Sequence, residues 1–439
     1  MISHIPAKIL KSCIFFVTPD LKRGLGLDGI LPDYHIICGR FDPLIPRLRK
    51  QGVQIFCLEE EGVHDEKKIN NSGTILENED TVNYINKKSG KTPVIMYFKP
   101  AKKIDYLLDK YKWKKAGNHS DLNECYENKI YFSRFLQKYF PDLGISSLTG
   151  RLNKLSFSEL IKTYGQPYVI QFGHGWAGKT TFFIENEKDF LNLCQKYPET
   201  MVKAGKFIRG FTVLNNCCIY QDKILVSPPA VQIGAVKKLY PGPFVTCGRQ
   251  WPVKFITEKQ EREISRISQQ VGSIMQKNSY KGFFGLDFLI DESSGKIYLS
   301  EINARLTASS AFFTKLEWGC GKIPLMLYHV ASFLNLSLPD FDHDYPEIKG
   351  SQIIFRTGGG QPVKHDPEFF GLFSLGNQKS VFISDKYQPD KLKDREYIFM
   401  KRENSLTKPK GAETARIETG MEALETTKTL SGWVDRLIN

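Results

Sequence analysis

The chain has 439 residues, too many for one ordinary core, so two or three domains are expected. Hydrophobic residues make up 41% and charged ones 25%, the balance of a soluble globular protein, which excludes disordered and collagen-like classes. The formal net charge is +13, but lysines are spread along the chain and no arginine-rich arm is present, so the charge suits an anionic small molecule as well as a nucleic acid.

Residues 1–118 read as a small α/β unit. CIFFV (13–17) is too short for a membrane span or a signal-peptide core, and Thr18-Pro19-Asp20 breaks it at once, so it is expected to be a first buried strand. YHIICG, VQIFCL and PVIMYF follow at strand length. Between and after them lie helix-compatible stretches such as PLIPRLRKQG (43–52) and AKKIDYLLDKYKW (101–113). That alternation predicts a parallel sheet. None of the nine cysteines lies in a CxxC pair, and the eight histidines are scattered. Reduced thiols, a cytoplasmic location and no zinc site are expected.

From 119 the pattern changes. HSDLNECYENKIYFSRFLQKYF (119–140) carries helical spacing, with Leu122, Tyr126, Ile130 and Phe135 on or near one face, and Pro141 and Gly144 end it. Further on, GHGWAGKT (173–180) matches the P-loop pattern letter for letter. A true P-loop opens a helix at its Lys-Thr, whereas TTFFIEN is β-branched and aromatic, a strand by propensity. The expectation is therefore a strand, a flexible glycine loop and a second strand, with the helix starting after an Asn186 cap. Gly173, Gly175 and Gly178 would let the backbone approach phosphates closely, and Lys179 or Thr180 could reach an oxygen.

The stretch 282–309, GFFGLDFLIDESSGKIYLSEINARLTAS, reads as a β-hairpin with DESSG as its turn. Folding it about residue 294 sets Asp287 opposite Glu301. Glu301, Asn303 and Arg305 recur at i, i+2 and i+4 and so share a face while the strand continues. Two carboxylates and an amide oxygen then form a hard-oxygen site suited to Mg²⁺, with Arg305 a step further on to neutralise developing negative charge. The last segment, 346–439, restarts with strand-like SQIIFRT and VFIS and ends in a polar helix near GWVDRLIN.

The spacing G-x-D-F-x(12)-E-I-N-A-R resembles the metal-binding signature of the ATP-grasp superfamily, over about 119–345. The resemblance implies a three-domain α/β and α+β architecture: a pre-ATP-grasp Rossmann-like domain (1–118), an ATP-grasp domain (119–345) and a small C-terminal domain (346–439). It implies ATP with Mg²⁺ or Mn²⁺ as cofactors, the metal being held by Asp287 and Glu301 with Asn303 assisting. Arg305 would contact the γ-phosphate or an acyl phosphate, Lys129 would reach an ATP phosphate, and GHGWAG would form a flap over the triphosphate. MVKAGKFI (201–208) would be the hinge whose backbone reads adenine near Lys203 and Ala204. The strand before the flap usually carries a lysine where this chain has Gln171, for which Lys179 could substitute. No Asp or Glu lies between Glu199 and Asp222 to take the ribose.

The activity implied is an ADP-forming carboxylate–amine ligase acting on an amino acid or small peptide, with a homodimer through the N-terminal domain as a possible assembly. Two alternatives stay open. One is a biotin carboxylase-like enzyme that activates bicarbonate. The other is a degenerate ATP-grasp protein that binds nucleotide or nucleic acid, which the +13 charge motivates. No membrane partner is expected. Gln232 and Arg249 lie in the segment that often faces substrate in this superfamily.

Overall fold

The computed structural model describes residues 5–174, 180–234, 236–242, 245–341, 345, 347–362, 370–376, 380–388, 392–401 and 410–438. The N-terminal runs fold as expected. β1 (Ile14–Thr18), β2 (Tyr34–Cys38), β3 (Gln54–Cys57), β4 (Val94–Tyr97) and the short β5 (Lys114–Ala116) form one parallel sheet, ordered β3-β2-β1-β4-β5. β1, β2 and β4 are buried on both faces, which is why they read as unbroken apolar runs rather than alternating ones. Phe15, Val17 and Ile37 pack with Ile75, Ile85 and Leu108 on one side. Phe16, Ile36 and Met96 join Phe312, Leu325 and Met326 on the other.

A four-stranded antiparallel sheet follows, ordered β6-β9-β7-β8, from β6 (Ser147–Arg151), β7 (Tyr168–Phe172), β8 (Thr181–Ile184) and β9 (Met201–Lys206). β7 and β8 pair antiparallel with Gln171 opposite Thr181, so the P-loop-like letters join two strands. The next helix begins at Glu187, and the Asn186 side chain accepts from the Asp189 N–H.

The third sheet is the scaffold of the molecule. It contains β10 (Gly210–Tyr220), β11 (Lys223–Val226), β12 (Ala230–Gln232), β13 (Gly248–Trp251), β14 (Gly282–Asp291), β15 (Ile297–Asn303), β16 (Gly350–Arg356), β17 (Phe370–Leu375), β18 (Ser380–Ser384), β19 (Glu396–Lys401) and β20 (Glu413–Thr419). The order is β15-β14-β10-β12-β13-β16-β20-β19-β17-β18, with β11 paired to β10. The strands after residue 345 therefore extend the sheet that holds the 282–303 hairpin, through the antiparallel pairing of β13 with β16. One face, bearing Val231, Ile353, Phe355 and Ile417, buries its own apolar cluster with Leu424 and Val434. The other turns toward the parallel sheet, where Ala230, Trp251 and Ile398 join the same cluster as Phe16 and Ile36.

Two details fix how the sheets meet. The stretch 119–140 is not one helix but two, Ser120–Glu127 and Lys129–Tyr139. The break is Asn128, which leaves helical geometry (ψ 118°) and caps the second helix by accepting from the Ile130 and Tyr131 N–H groups. That second helix packs against β7, β9 and β15 and so bridges two sheets. His329, 4% exposed, is the other tie. Its Nδ1 accepts from the Phe283 N–H at 2.9 Å, and its Nε2 lies 3.1 Å from the Ala116 carbonyl, which makes Nε2 the protonated nitrogen. A Cβ at Gly282 (φ +73°) would lie 2.4 Å from that Nδ1, so the position demands glycine.

Burial lowers the His329 pKa to about 4, against the opposing hydrogen bond to Ala116. A folded-state value below the ordinary one of about 6.5 means that the unfolded chain binds the extra proton. The stabilisation is present above about pH 6.5 and is lost as the pH falls toward 4. Thermal melts should show a decline in Tm across that window, shallower in His329→Gln. Equal slopes in the two proteins would assign the acid limit to other groups.

Candidate functional site

The hairpin register is the one expected from folding about residue 294: Asp287 pairs with Glu301 across β14 and β15. The register then shifts, and Ser300 is the extra residue, its Oγ donating to the Asp287 carbonyl at 2.8 Å. Such a bulge re-aims neighbouring side chains and increases local twist. Burial, and then the facing Glu301, push the Asp287 carboxyl up to about 7, while Arg305, Lys129 and Asn303 pull the other way. Two opposed carboxylates in a buried place are poorly stable as a pair of anions, and a hard divalent cation such as Mg²⁺ or Mn²⁺ is what relieves them. The donor set fits such a cation.

Asn303 is 7% exposed and sits between the charges. Its Nδ2 donates to Asp287 Oδ1 at 3.2 Å, and its Oδ1 accepts from Arg305 Nη2 at 2.7 Å. With the amide oxygen engaged by Arg305, the two carboxylates are the metal ligands this arrangement offers, and Asn303 orients them.

The helix break at Asn128 brings two more charges to the same place. Lys129 Nζ lies 3.5 Å from Glu301 Oε2, and its backbone N–H donates at 2.8 Å to the carbonyl of Gly173 at the base of the glycine loop. Glu127 Oε1 lies 2.8 Å from Arg305 Nε, and Lys99 Nζ lies 2.8 Å from Glu127 Oε2. The Glu127–Arg305 approach is close but off-line, so neither atom gains a hydrogen bond. Burial works to raise the Glu127 carboxyl, but Arg305 and then Lys99 outweigh it and hold it below its usual value. Neither Glu127 nor Lys99 was singled out in the sequence. The available signal was Glu127's place two residues before Lys129.

Gln171 and Lys203 are cross-strand partners on β7 and β9. The Gln171 side chain donates to Thr181 Oγ1 at 3.4 Å. Lys203 is 7% exposed, and burial, then Lys129, lower its ammonium to about 8, with Glu301 acting the other way. A lysine is thus supplied one strand over from where the resemblance looks for it. The hinge reading needs correction at the backbone. β9 lies between β6 and β7, with Ala204 opposite both Leu148 and Ile170, and Lys203 opposite both Thr149 and Gln171. Their backbone groups belong to the ladders, which end at Lys206, and the Arg209 carbonyl already accepts from the Glu292 N–H, so the backbone outside these pairings is that of 207 and 208. Gly175, Gly178 and Lys179 lie outside the described residues.

Residues 126–309 match a protein-family model described as the ATP-grasp domain. No curated protein matches the sequence. Among solved structures, N5-carboxyaminoimidazole synthetase from Staphylococcus aureus, complexed with ADP, is 13% identical with a TM-score of 0.59, over 94% of this chain and 93% of that one. The biotin carboxylase domain of 2-oxoglutarate carboxylase from Hydrogenobacter thermophilus, in complex with MgADP, ADP and bicarbonate, is 12% identical with a TM-score of 0.62, over 93% and 86%. Biotin carboxylase from Campylobacter jejuni, as a β-γ-ATP complex, is 12% identical with a TM-score of 0.61, over 94% and 88%. At these identities the likeness is one of fold. Among the described residues no helix is long and apolar enough to cross a membrane.

Replacing Asp287 by Asn removes one of two opposed, half-buried carboxylates. The metal-free variant should melt at or above the wild-type temperature, while the rise in Tm on adding Mg²⁺ disappears. A saturating ligand at 100 times its Kd is worth about 2.7 kcal/mol, well within reach of differential scanning fluorimetry. An unchanged Mg²⁺ response in the variant would remove Asp287 from the metal site.

Proposed function

We propose that this chain, whose residues 126–309 match the ATP-grasp domain model, is an ATP-grasp, ADP-forming ligase that activates a carboxylate as an acyl phosphate and transfers it to an amine. The observation that carries the reading is the Asp287–Glu301 pair on one hairpin, flanked by Lys129 and Arg305. Phosphoryl transfer asks a protein mainly for positioning and charge neutralisation, and these residues supply both. Asp287 and Glu301 would hold Mg²⁺, which when bound neutralises the triphosphate. Lys129 and Lys203 place two ammonium groups near Glu301, suited to phosphate oxygens. Arg305, kept in place by Glu127 and Asn303, faces the charge that develops as the substrate carboxylate attacks the γ-phosphorus in line. ADP leaves, and the amine then displaces phosphate from the acyl carbon. No serine, cysteine or histidine nucleophile is needed.

A second reading has a specific point in its favour: two of the similar folds above are biotin carboxylases, and one of them was crystallised with bicarbonate. Bicarbonate is itself a carboxylate-like acid, so the same residues would serve. Dependence of ADP release on biotin and bicarbonate, rather than on an organic acid and an amine, would select that reading.

ADP release with Mg·ATP should rise only with particular pools of carboxylic acids and amines. Glu301→Ala should lower the stimulated rate by at least about 10²-fold, the usual scale for one preorganised electrostatic group. Full turnover in that variant would refute the reading. Lys203→Met should weaken ATP as well as slow turnover. An unchanged KM for ATP would leave Lys203 a purely structural part of β9.

A further inference from the structure

The polar face that carries Asp287 does not stop at the hairpin. Asp287 pairs with Leu214 on β10, and Leu214 with Ala230 on β12. Gln232, two residues on, shares that face. It pairs with Arg249 on β13, Arg249 with Gln352 on β16, and Gln352 with Glu418 on β20. One side of the sheet thus runs from the metal-type site to a row of charged and amide side chains. Three strand spacings of about 4.8 Å, with β10 and β12 between, separate β14 from β13, so the two ends of this face lie roughly 14 Å apart between backbones.

Across from this row lie the loops after β1 and β4 of the parallel sheet. These strands are neighbours at the point where the order β3-β2-β1-β4-β5 reverses direction, the place where open α/β sheets take ligands. Arg23 follows β1 and Phe98 follows β4. The guanidinium carbons of Arg23 and Arg305 lie 3.9 and 5.1 Å from the centre of the Phe98 ring. Arg416 and Glu413 act electrostatically on both Arg23 and Arg249, which links the two ends of the row.

Most of the cations here have an opposite charge or a carbonyl. Lys22 pairs with Asp42 at 2.8 Å, Lys315 with Glu418 at 2.8 Å, and Arg416 with both oxygens of Glu413 at 2.9 Å. Arg23 lies 3.8 Å from Asp20. Arg356 donates to the carbonyls of Thr246 and Gly411. Arg249 differs. It is 2% exposed, and among the described residues its Nε and Nη1 have no hydrogen-bond partner. Burial, and then Arg416, lower its pKa to about 9, a measure of how poorly the site holds that charge unaided. Gln352 Oε1, on the residue directly opposite, is open as well. Open buried donors on a cation are costly, and an arginine cannot readily escape by losing its proton.

We propose that Arg249, with Arg416 beside it, is the base of an oxyanion subsite, so that the acid activated at Asp287 and Glu301 carries a second anionic group, a carboxylate or a phosphate monoester. The open Gln352 oxygen accepts an N–H or O–H of the same molecule. The substrate class rests on the ligase reading; the anion subsite itself does not.

The test uses thermal shift with glutarate, inorganic phosphate and acetate as probes, each with and without Mg·ADP, alongside ADP release with mono- and dicarboxylic and phosphorylated acids. The dianions should raise Tm in the wild type and acetate should not. Arg249→Met should abolish that rise without lowering its own Tm, because it removes an unpaired buried charge, and Arg249→Lys should restore part of it. A response to glutarate alone assigns a carboxylate, and one to phosphate alone a phosphate ester. In turnover, Arg249→Met should raise the KM for the dianionic acid by about 10²-fold, with the KM for ATP unmoved, as expected for one lost charge-assisted contact. No shift with either dianion, or the same shift in both wild type and Arg249→Met, overturns the subsite. Dianion shifts that vanish in the variant, with no ADP release from any acid, would uphold the subsite and sink the ligase reading.

Discussion

Everything at the centre of this molecule answers one electrostatic constraint, the meeting of Asp287 and Glu301 across a buried hairpin. Like charges at cross-strand distance destabilise a sheet, and burial makes their repulsion worse. The chain tolerates the pair by surrounding it. Lys129 approaches Glu301, Asn303 donates to Asp287, and Arg305 is anchored to Asn303 and Glu127. Even so, burial and then the facing Glu301 push the Asp287 carboxyl up to about 7, so the counter-charges only partly offset them. A site that sets two opposed carboxylates among fixed cations suits a metal–nucleotide complex rather than a lone anion or a lone cation.

That constraint explains local choices that propensity alone would not make. Helical spacing continues through 119–140, yet the structure breaks it at Asn128. An unbroken helix would place Glu127 and Lys129 about 200° apart around its axis. The break lets both reach the hairpin, one toward Arg305 and the other toward Glu301. The same junction holds the end of β7, because the Lys129 N–H donates to the Gly173 carbonyl. The place of Gly173 and the place of the lysine are therefore set by one turn of chain.

What could be read from the sequence was what local spacing determines. The hairpin register follows from its turn, so the Asp287–Glu301 pairing was legible from the distance of each to residue 294. The fate of GHGWAGKT was legible from the β-branched residues that follow it, and the parallel sheet from its apolar runs. Lys129 and the hinge came only through resemblance, and the hinge was misplaced because the pairing of β9 with β6 and β7 at once is a non-local fact. Glu127, Lys99 and Arg23 come from separate segments, and the contacts that bring them together, through Arg305 and Phe98, are non-local. The merging of β16 to β20 with the hairpin sheet was hidden for the same reason. A strand's sequence shows that it pairs, not with which neighbour.

The net charge of +13 gains a different meaning from this geometry. Counted along the chain, it invites a basic surface and a polyanionic partner. Counted in space, several cations are internal: Lys22, Lys203, Arg249 and Arg416 are all buried. A buried guanidinium projects little field to a distant phosphate backbone, and it is not screened by salt as a surface lysine is. It acts only on what enters the site. An unpaired buried guanidinium, that of Arg249, between the parallel sheet and one face of the large sheet argues for a small anion enclosed there, held from several elements at once. That arrangement discriminates by shape and charge together, which a solvated basic patch does not.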